Sequence, residues 1–281
     1  MPSFHFCQMI LQCGKYRLVL DRPLIMGVVN VTPDSFSDGG HYLSLDAAVA
    51  HARRLIDEGA DLLDIGGEST RPGAAAVSLE EERRRVLPVL ETLLSANIPL
   101  SIDTQKPELM REAAASGAAM INDVNGFEAA DALQGVSGSD CAVCIMHKQG
   151  QPENMQQAPQ YRDVVTEVDT YLQARIAAAE AVGIVRSRLV IDPGFGFGKT
   201  LAHNLSLLRE LERLTAAGVP VLAGLSRKSM IGALIGREVG ERVFGSVAAA
   251  LIAAQRGAAI LRVHDVAATR DALAVWSAVR A

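Results

Sequence analysis

No stretch of this sequence approaches the roughly 20 consecutive apolar residues that a membrane-crossing helix needs, so a membrane partner is not expected. Positive charge is not in excess either. The 27 Lys and Arg against 32 Asp and Glu leave a net charge of −5, which argues against a general nucleic-acid binder, whose affinity comes from neutralising phosphates. Cysteine is scarce, with only Cys7, Cys13, Cys141 and Cys144. The Cys141-x-x-Cys144 spacing suits a redox or metal pair, but it lies inside CAVCIM, an apolar strand-like run whose residues three apart point to opposite faces. No second pair completes a zinc site, so these are read as buried structural thiols. The N-terminal MPSFHFCQMILQCGKY has no basic segment leading into a long apolar one, so no export signal is read there and a reducing cytoplasm is expected. The one dense charge cluster is EEERRR, Glu80 to Arg85. Glu80–Arg84 and Glu81–Arg85 fall at i,i+4 spacing, as on a solvated helix face.

Apolar residues and turn formers are abundant. With 49% hydrophobic residues, 24 Gly and 11 Pro, the 281 residues suit a large core and many short turns. One barrel-sized domain over 1–281 fits, since such folds take about 250 residues. The stretch LIMGVVNVTPDSFSDGG, residues 24–40, sets the pattern. Its apolar run shows no alternation, as expected of a strand buried on both faces in a parallel sheet, and it stops at Asn30 before a polar loop. Seven further short apolar runs repeat this: 61–65, 98–102, 119–121, 141–146, 188–191, 220–222 and 258–261. Helical patterns follow them, among them 45–58, a helix from Ser78 with Ser78 and Glu81 spaced as a capping box, one from Pro107, a long one over 161–182, and a last one carrying Trp276. Residues 5–20 read as a hairpin turning at Cys13-Gly14-Lys15 and capping one end. From Asn30 to Arg262 the seven intervals average about 33 residues, near the length of one βαβ unit. An open doubly wound sheet would concentrate ligand groups at one switch point, whereas here polar clusters follow nearly every strand. The expected fold is therefore α/β, a (β/α)8 TIM barrel with a short N-terminal β-hairpin.

The strand ends supply Asn30, Thr70 with Arg71, Asp103, Asn122, Asp192, Lys228, and Arg262 with His264. Each alone is more often an N-cap, a turn former or a solvated charge. Together at one barrel mouth, two carboxylates, two amides and a lysine can read the edges of a flat heterocycle. Arg262, His264 and the SRKS segment suit a phosphate or carboxylate, because the loops after strands seven and eight are where barrels place phosphate sites. Asn30 and a polyphosphate can share Mg²⁺, which borrows oxygen ligands from its substrate. PGFGFGKT, residues 193–200, has Pro193 where a phosphate loop needs its first glycine, and it is not read as one.

In the order NVTPDSFSDGG (30–40), GGESTRPG (66–73), SIDTQKPE (101–108), ND (122–123), DPGFGFGK (192–199), SRKS (226–229) and RVHDV (262–266), these segments resemble the dihydropteroate synthase family, the folate-pathway enzymes that sulfonamides target. The resemblance spans about residues 20–275. Gln105, where Ser or Tyr is common, and Asn125-Gly126-Phe127 depart from its pattern. It implies a transferase that joins 6-hydroxymethyl-7,8-dihydropterin diphosphate to 4-aminobenzoate, giving 7,8-dihydropteroate and diphosphate with Mg²⁺ as cofactor. It further implies that Asp103, Asn122, Asp192 and Lys228 hold the pterin, walled by Met146, Phe197 and Gly224. Asn30 would bind the metal. Thr70, Arg262 and His264 would serve the diphosphate, with Arg71 and Val263 beside them. The catalytic set would be Asp103, Asp192, Lys228 and Arg262. Loops carrying Phe36 and Ser69 to Pro72 would close over 4-aminobenzoate, with Ser229 near its carboxylate, in a homodimeric enzyme. A related barrel, the methyltetrahydrofolate–corrinoid methyltransferases, would share the pterin groups but needs no diphosphate site, so Arg262, His264 and the two loops weigh against it. A catalytically silent pterin-binding homologue would have lost a loop or a charged residue, and none is missing.

Overall fold

The sheet is parallel throughout, and that is why its strands read as unbroken apolar runs. The computed structural model describes residues 9–31, 41–69, 76–150, 155 and 158–280. A hairpin comes first, β1 (Ile10–Cys13) and β2 (Tyr16–Val19), paired antiparallel with Cys13 opposite Tyr16. Gly14 takes the turn at φ +58, and a Cβ there would sit 3.0 Å from the Ala119 Cα. The barrel strands are β3 (Leu24–Asn30), β4 (Leu62–Gly66), β5 (Leu100–Asp103), β6 (Met120–Asp123), β7 (Ala142–Met146), β8 (Leu189–Asp192), β9 (Leu222–Ala223) and β10 (Ile260–Val263). Their order is β8-β7-β6-β5-β4-β3-β10-β9. The end strands meet where Ile191 bridges Val221 and the Ile191 N–H donates to Pro220 O at 3.0 Å.

Between the strands run α1 (His41–Asp57), α2 (Leu79–Leu93), α3 (Pro107–Ala115), α4 (Ala132–Ser137), α5 (Val164–Ala181), α6 (Leu201–Arg209), α7 (Glu212–Thr215), α8 (Ser229–Ile235), α9 (Val243–Gln255) and α10 (Val266–Arg280). The α/β barrel and its hairpin are those the sequence implies.

Strand alternation sorts the side chains into two apolar layers. Ile25, Leu63, Ile102, Ile121, Ile145, Ile191 and Leu261 face outward into the large core shared with the helices. Met26, Leu62, Met120, Cys144, Val190 and Ile260 face inward, and Leu11, Cys13 and Leu20 of the hairpin segment plug that interior from below. Two residues further along the same inward rows come Asp64, Asn122, Met146, Asp192 and Arg262. The polar mouth is thus the next interior layer above an apolar floor.

Several boundaries differ from the sequence reading, each for a local reason. Asp103, Asn122, Asp192 and Arg262 lie within their strands rather than after them, because the ladder continues while the inward face turns polar. Helix α5 starts at Val164, not 161, because the Asp163 carboxylate caps it, accepting from the Val165 (3.1 Å) and Thr166 (3.2 Å) N–H groups. Only half of the Ser78 capping box forms. Ser78 Oγ accepts from Glu81 N–H at 3.3 Å, while the Glu81 carboxylate turns to Arg84 and Arg85. Glu80 correspondingly pairs with Arg83 (3.1 Å) rather than Arg84, and Arg83 reaches across to Glu112 on α3. Cys141 and Cys144 are free, buried thiols on opposite sides of the sheet, in the outer and inner layers. Cys7 lies outside the described residues.

Candidate active site

Arg262 organises the charged floor of the mouth. Its Nε donates to Asp64 Oδ2 at 2.6 Å and its Nη2 to Asp103 Oδ2 at 2.8 Å. Nη1 has no partner among the described residues. Asp64 is fully buried on β4, and its Oδ2 also accepts from Asn122 Nδ2 at 3.2 Å. Among the described residues its Oδ1 and the neighbouring Ser101 Oγ have no partner. Burial and the Asp64 charge push the Asp103 carboxyl up to about 7, against the opposing pull of Arg262.

The opposite side is built from the β8 loop. Gly194 N–H donates to Asp192 Oδ1 at 2.7 Å, and burial raises the Asp192 carboxyl while the Lys228 charge lowers it. Lys228 donates through Nζ to Phe195 O and stands 4.5 Å above the Phe197 ring. Burial pushes its ammonium down to about 8, with Asp192 acting against that. A Cβ on Gly224 would lie 3.8 Å from both Lys228 Nζ and Arg262 Cβ, so this glycine lets the two cations flank one strip of bare backbone.

Lys228 is aimed by the residue before it. Arg227 is in the left-handed region at φ +58, a conformation costing an ordinary residue about 1–3 kcal/mol. Asp265 grips its guanidinium (3.0 and 2.5 Å), and its N–H donates to Ser246 Oγ at 2.9 Å. Ser226 Oγ accepts from the His264 N–H (3.2 Å) and lies 3.0 Å from His264 Nδ1. Ser229 opens α8 and is exposed.

Asn30 ends β3, level with Gly66, which in turn is level with Asp103. Asp103, Asn122, Met146, Asp192, Gly224, Lys228 and Arg262 therefore stand around one mouth, half-buried or buried, with Phe197 over it. Val263 does not join them. It is the outward residue next to inward Arg262, and its side chain packs in the outer core. Phe36, Thr70, Arg71 and Pro72 lie outside the described residues; Ser69 is half-buried at the last described position before them. Among the described residues, no group of three His, Cys, Asp or Glu side chains could hold a metal. A single amide oxygen such as that of Asn30 suits only a hard cation that takes most of its ligands from water and substrate.

Two groups near the mouth escaped the sequence reading. Asp64 was hidden in the apolar run LLDIG; its signal was a charge where only an inward core residue fits. Glu82 occupies a core position of α2, in register with Val86 and Val89, and Lys106 Nζ reaches both it (2.5 Å) and Glu68. Glu68 Oε1 in turn accepts from Val77 N–H at 3.3 Å. Burial raises the Glu82 carboxyl.

A parallel barrel whose mouth combines carboxylates and an amide with two cations is the class of fold and site found here, and the sequence matches the pterin binding enzyme family over residues 26–264. The dihydropteroate synthase of Escherichia coli (strain K12) is 50% identical over 262 residues, 93% of each chain. The structure of Xanthomonas albilineans dihydropteroate synthase with 4-aminobenzoic acid superposes with a TM-score of 0.93 at 60% identity, covering 98% of this chain and 99% of that one. The Xanthomonas albilineans enzyme in complex with 7,8-dihydropteroate gives 0.87 at 54% identity, over 97% and 98%. This chain belongs to the pterin-binding enzymes and, within them, to the dihydropteroate synthase family.

Proposed function

We propose that the chain condenses 6-hydroxymethyl-7,8-dihydropterin diphosphate with 4-aminobenzoate, releasing diphosphate and forming 7,8-dihydropteroate for folate synthesis. The observation that carries this reading is the pairing of a heterocycle-reading wall with an anion-reading one across Gly224. Asp103, Asn122 and Asp192 offer acceptors and a donor to the pterin edge. Met146 and Phe197 cover its faces. Lys228 donates from the far side.

The Arg262 fork is oriented by Asp64 and Asp103 and keeps Nη1 for the diphosphate, beside His264. Asn30 would hold Mg²⁺, which when bound would neutralise charge on the diphosphate. Asp103 and Asp192 stabilise the positive charge that develops on the pterin side as diphosphate departs, an SN1-like course. The weakly basic aryl amine then attacks the exocyclic carbon, with the loops bearing Phe36 and Ser69 to Pro72 excluding water. No side chain bonds covalently to the pterin in this scheme.

The test is diphosphate release with Mg²⁺, with and without 4-aminobenzoate. Release accelerated by 4-aminobenzoate, with 7,8-dihydropteroate formed and no pterin adduct on the protein by mass spectrometry, is expected. Pterin binding with no diphosphate release under any condition would refute the transferase and leave a methyltransferase-like or silent pterin binder.

Compartment and assembly follow as part of the same reading. Three free buried thiols suit a reducing cytoplasm, and among the described residues no helix is long and apolar enough to cross a membrane. The homodimer pairs through α9 and α10, which pack side by side and expose Phe244 (88%), Ile252 (43%), Val275 (68%) and Val279 (82%). Large apolar side chains exposed along two adjacent helices suit an interface. Phe244→Glu is expected to sediment as a folded monomer where the native chain is a dimer; an unchanged sedimentation coefficient would place the interface elsewhere.

A further inference from the structure

Lys199 gives the segment 193–200 its likeness to a phosphate loop, yet its ammonium faces the protein. Nζ donates to Gly194 O (2.9 Å), Phe197 O (3.0 Å) and His147 O (3.4 Å), and lies 2.9 Å from His147 Nδ1. Both side chains are buried. Burial, reinforced by the Lys199 charge, pushes the imidazole down to about 3, so His147 is neutral and Nδ1 accepts.

The ribbon around this lysine is built for close approach. Gly194, Gly196 and Gly198 all have positive φ, and a Cβ on Gly194 would lie 1.9 Å from His147 O. The outer face of the same ribbon supplies Gly194 N–H to Asp192, Phe195 O to Lys228, and the Phe197 ring beneath the Lys228 ammonium. Asn204 holds its far end, accepting from Gly196 N–H at 2.8 Å and donating to Thr200 O at 2.8 Å.

We propose that Lys199 is a positioning residue of the pterin pocket: it ties the β8 ribbon to the end of β7 and thereby places Asp192, Phe197 and Lys228 together. The proposal rests on the pterin reading of the mouth. Lys199 touches no substrate. A ribbon of three positive-φ glycines has little stiffness of its own, and a donor reaching two of its carbonyls and a neighbouring strand end supplies it. The structural asymmetry is specific. Everything Lys199 braces lies on the pterin side: among the described residues its Nζ partners are His147, Gly194 and Phe197, and neither Arg262 nor His264 is one of them.

Lys199→Met keeps the stem and removes the donors. The KM for the dihydropterin diphosphate is expected to rise about tenfold or more, as for losing several hydrogen bonds from one donor, with calorimetric affinity for the same compound falling in parallel. The KM for 4-aminobenzoate should stay within about twofold. A folded variant with unchanged pterin affinity, or with both KM values raised alike, would overturn the proposal. Should Lys199→Met not fold, His147→Leu removes the β7 partner but leaves both ribbon carbonyls bound. A rise of about threefold confined to the pterin substrate is then expected, and no such selectivity refutes the idea. Native protein that does not bind the dihydropterin diphosphate at all refutes the functional reading, and the positioning role with it, before any variant is compared.

Discussion

Replacing Arg262 by alanine should lower the free energy of unfolding by about 3–5 kcal/mol, the range for breaking a buried ion pair from one side. The guanidinium is the shared counter-ion of Asp64, which is fully buried, and Asp103. Without it the two carboxylates face each other, with the Asn122 amide donating to Asp64 Oδ2, and among the described residues Asp64 Oδ1 has no partner even in the native protein. Asp103, already raised by burial, would respond by taking up a proton.

That response fixes the sign of the pH dependence. A carboxyl whose folded-state pKa lies above its unfolded value of about 3.9 destabilises the fold once it is ionised, above the folded pKa, and ceases to do so when protonated. Asp103 already stands near 7 with Arg262 present. The deficit of Arg262→Ala should therefore be largest at pH 8 and shrink toward pH 5. Urea unfolding at the two pH values checks this, and an equal deficit at both would mean that the carboxylates do not carry the loss. Diphosphate affinity should fall in the same variant, because Nη1 goes with the rest of the fork. Arg262→Lys should recover part of the stability but not the diphosphate affinity, since one ammonium cannot satisfy two carboxylates and an anion in fork geometry.

Arg262 also marks where reading from the sequence alone stops. That it would lie at a strand end near other polar residues was legible, because eight apolar runs each ending in polar residues leave few folds open. Its partners were not. They stand 198 and 159 residues earlier in the chain, and nothing local in RVHDV distinguishes an arginine that waits for an anion from one already bound to two. Asp64 and Glu82 were missed for the complementary reason: each occupies a position that the apolar pattern assigns to the core, where a charge survives only through a partner brought by another strand or helix. The GFGFGKT ribbon was not read as a phosphate loop because of one residue, Pro193, but what its lysine touches depends on His147, which directly follows a different strand, β7. Element ends shifted by two or three residues wherever a side chain such as that of Asp163 decided the cap. Val263 shows the effect of parity: named with its neighbours as one segment, it has its side chain on the other face of the strand.

Asp103→Asn is expected to reduce turnover by about 10²–10³, the usual loss when a group that stabilises developing charge is removed, while leaving the fold intact. Asparagine keeps the shape and the level on β5 but removes the charge that, on the proposed mechanism, meets the cationic pterin. Stability should move the other way. Burial and Asp64 hold the folded-state carboxyl up to about 7, so its ionised form is disfavoured by the fold above that pH, and the neutral amide escapes the penalty. At pH 8 the variant should be as stable as the native chain or more so, and the difference should fade on acidification as the native carboxyl protonates. The activity profile supplies the matching signature. The native enzyme should lose kcat/KM for the dihydropterin diphosphate as pH falls through about 7, whereas the variant should lack that component. Lys228, pushed down to about 8 and raised in part by the Asp103 charge, titrates lower still in the variant, so its contribution is read on the basic limb and the Asp103 component on the acidic one. Turnover within tenfold of native would remove Asp103 from the catalytic set. A variant that is inactive but also less stable at pH 8 would mean that the carboxylate serves chiefly to anchor Arg262, and the electrostatic role would then pass to Asp192 alone.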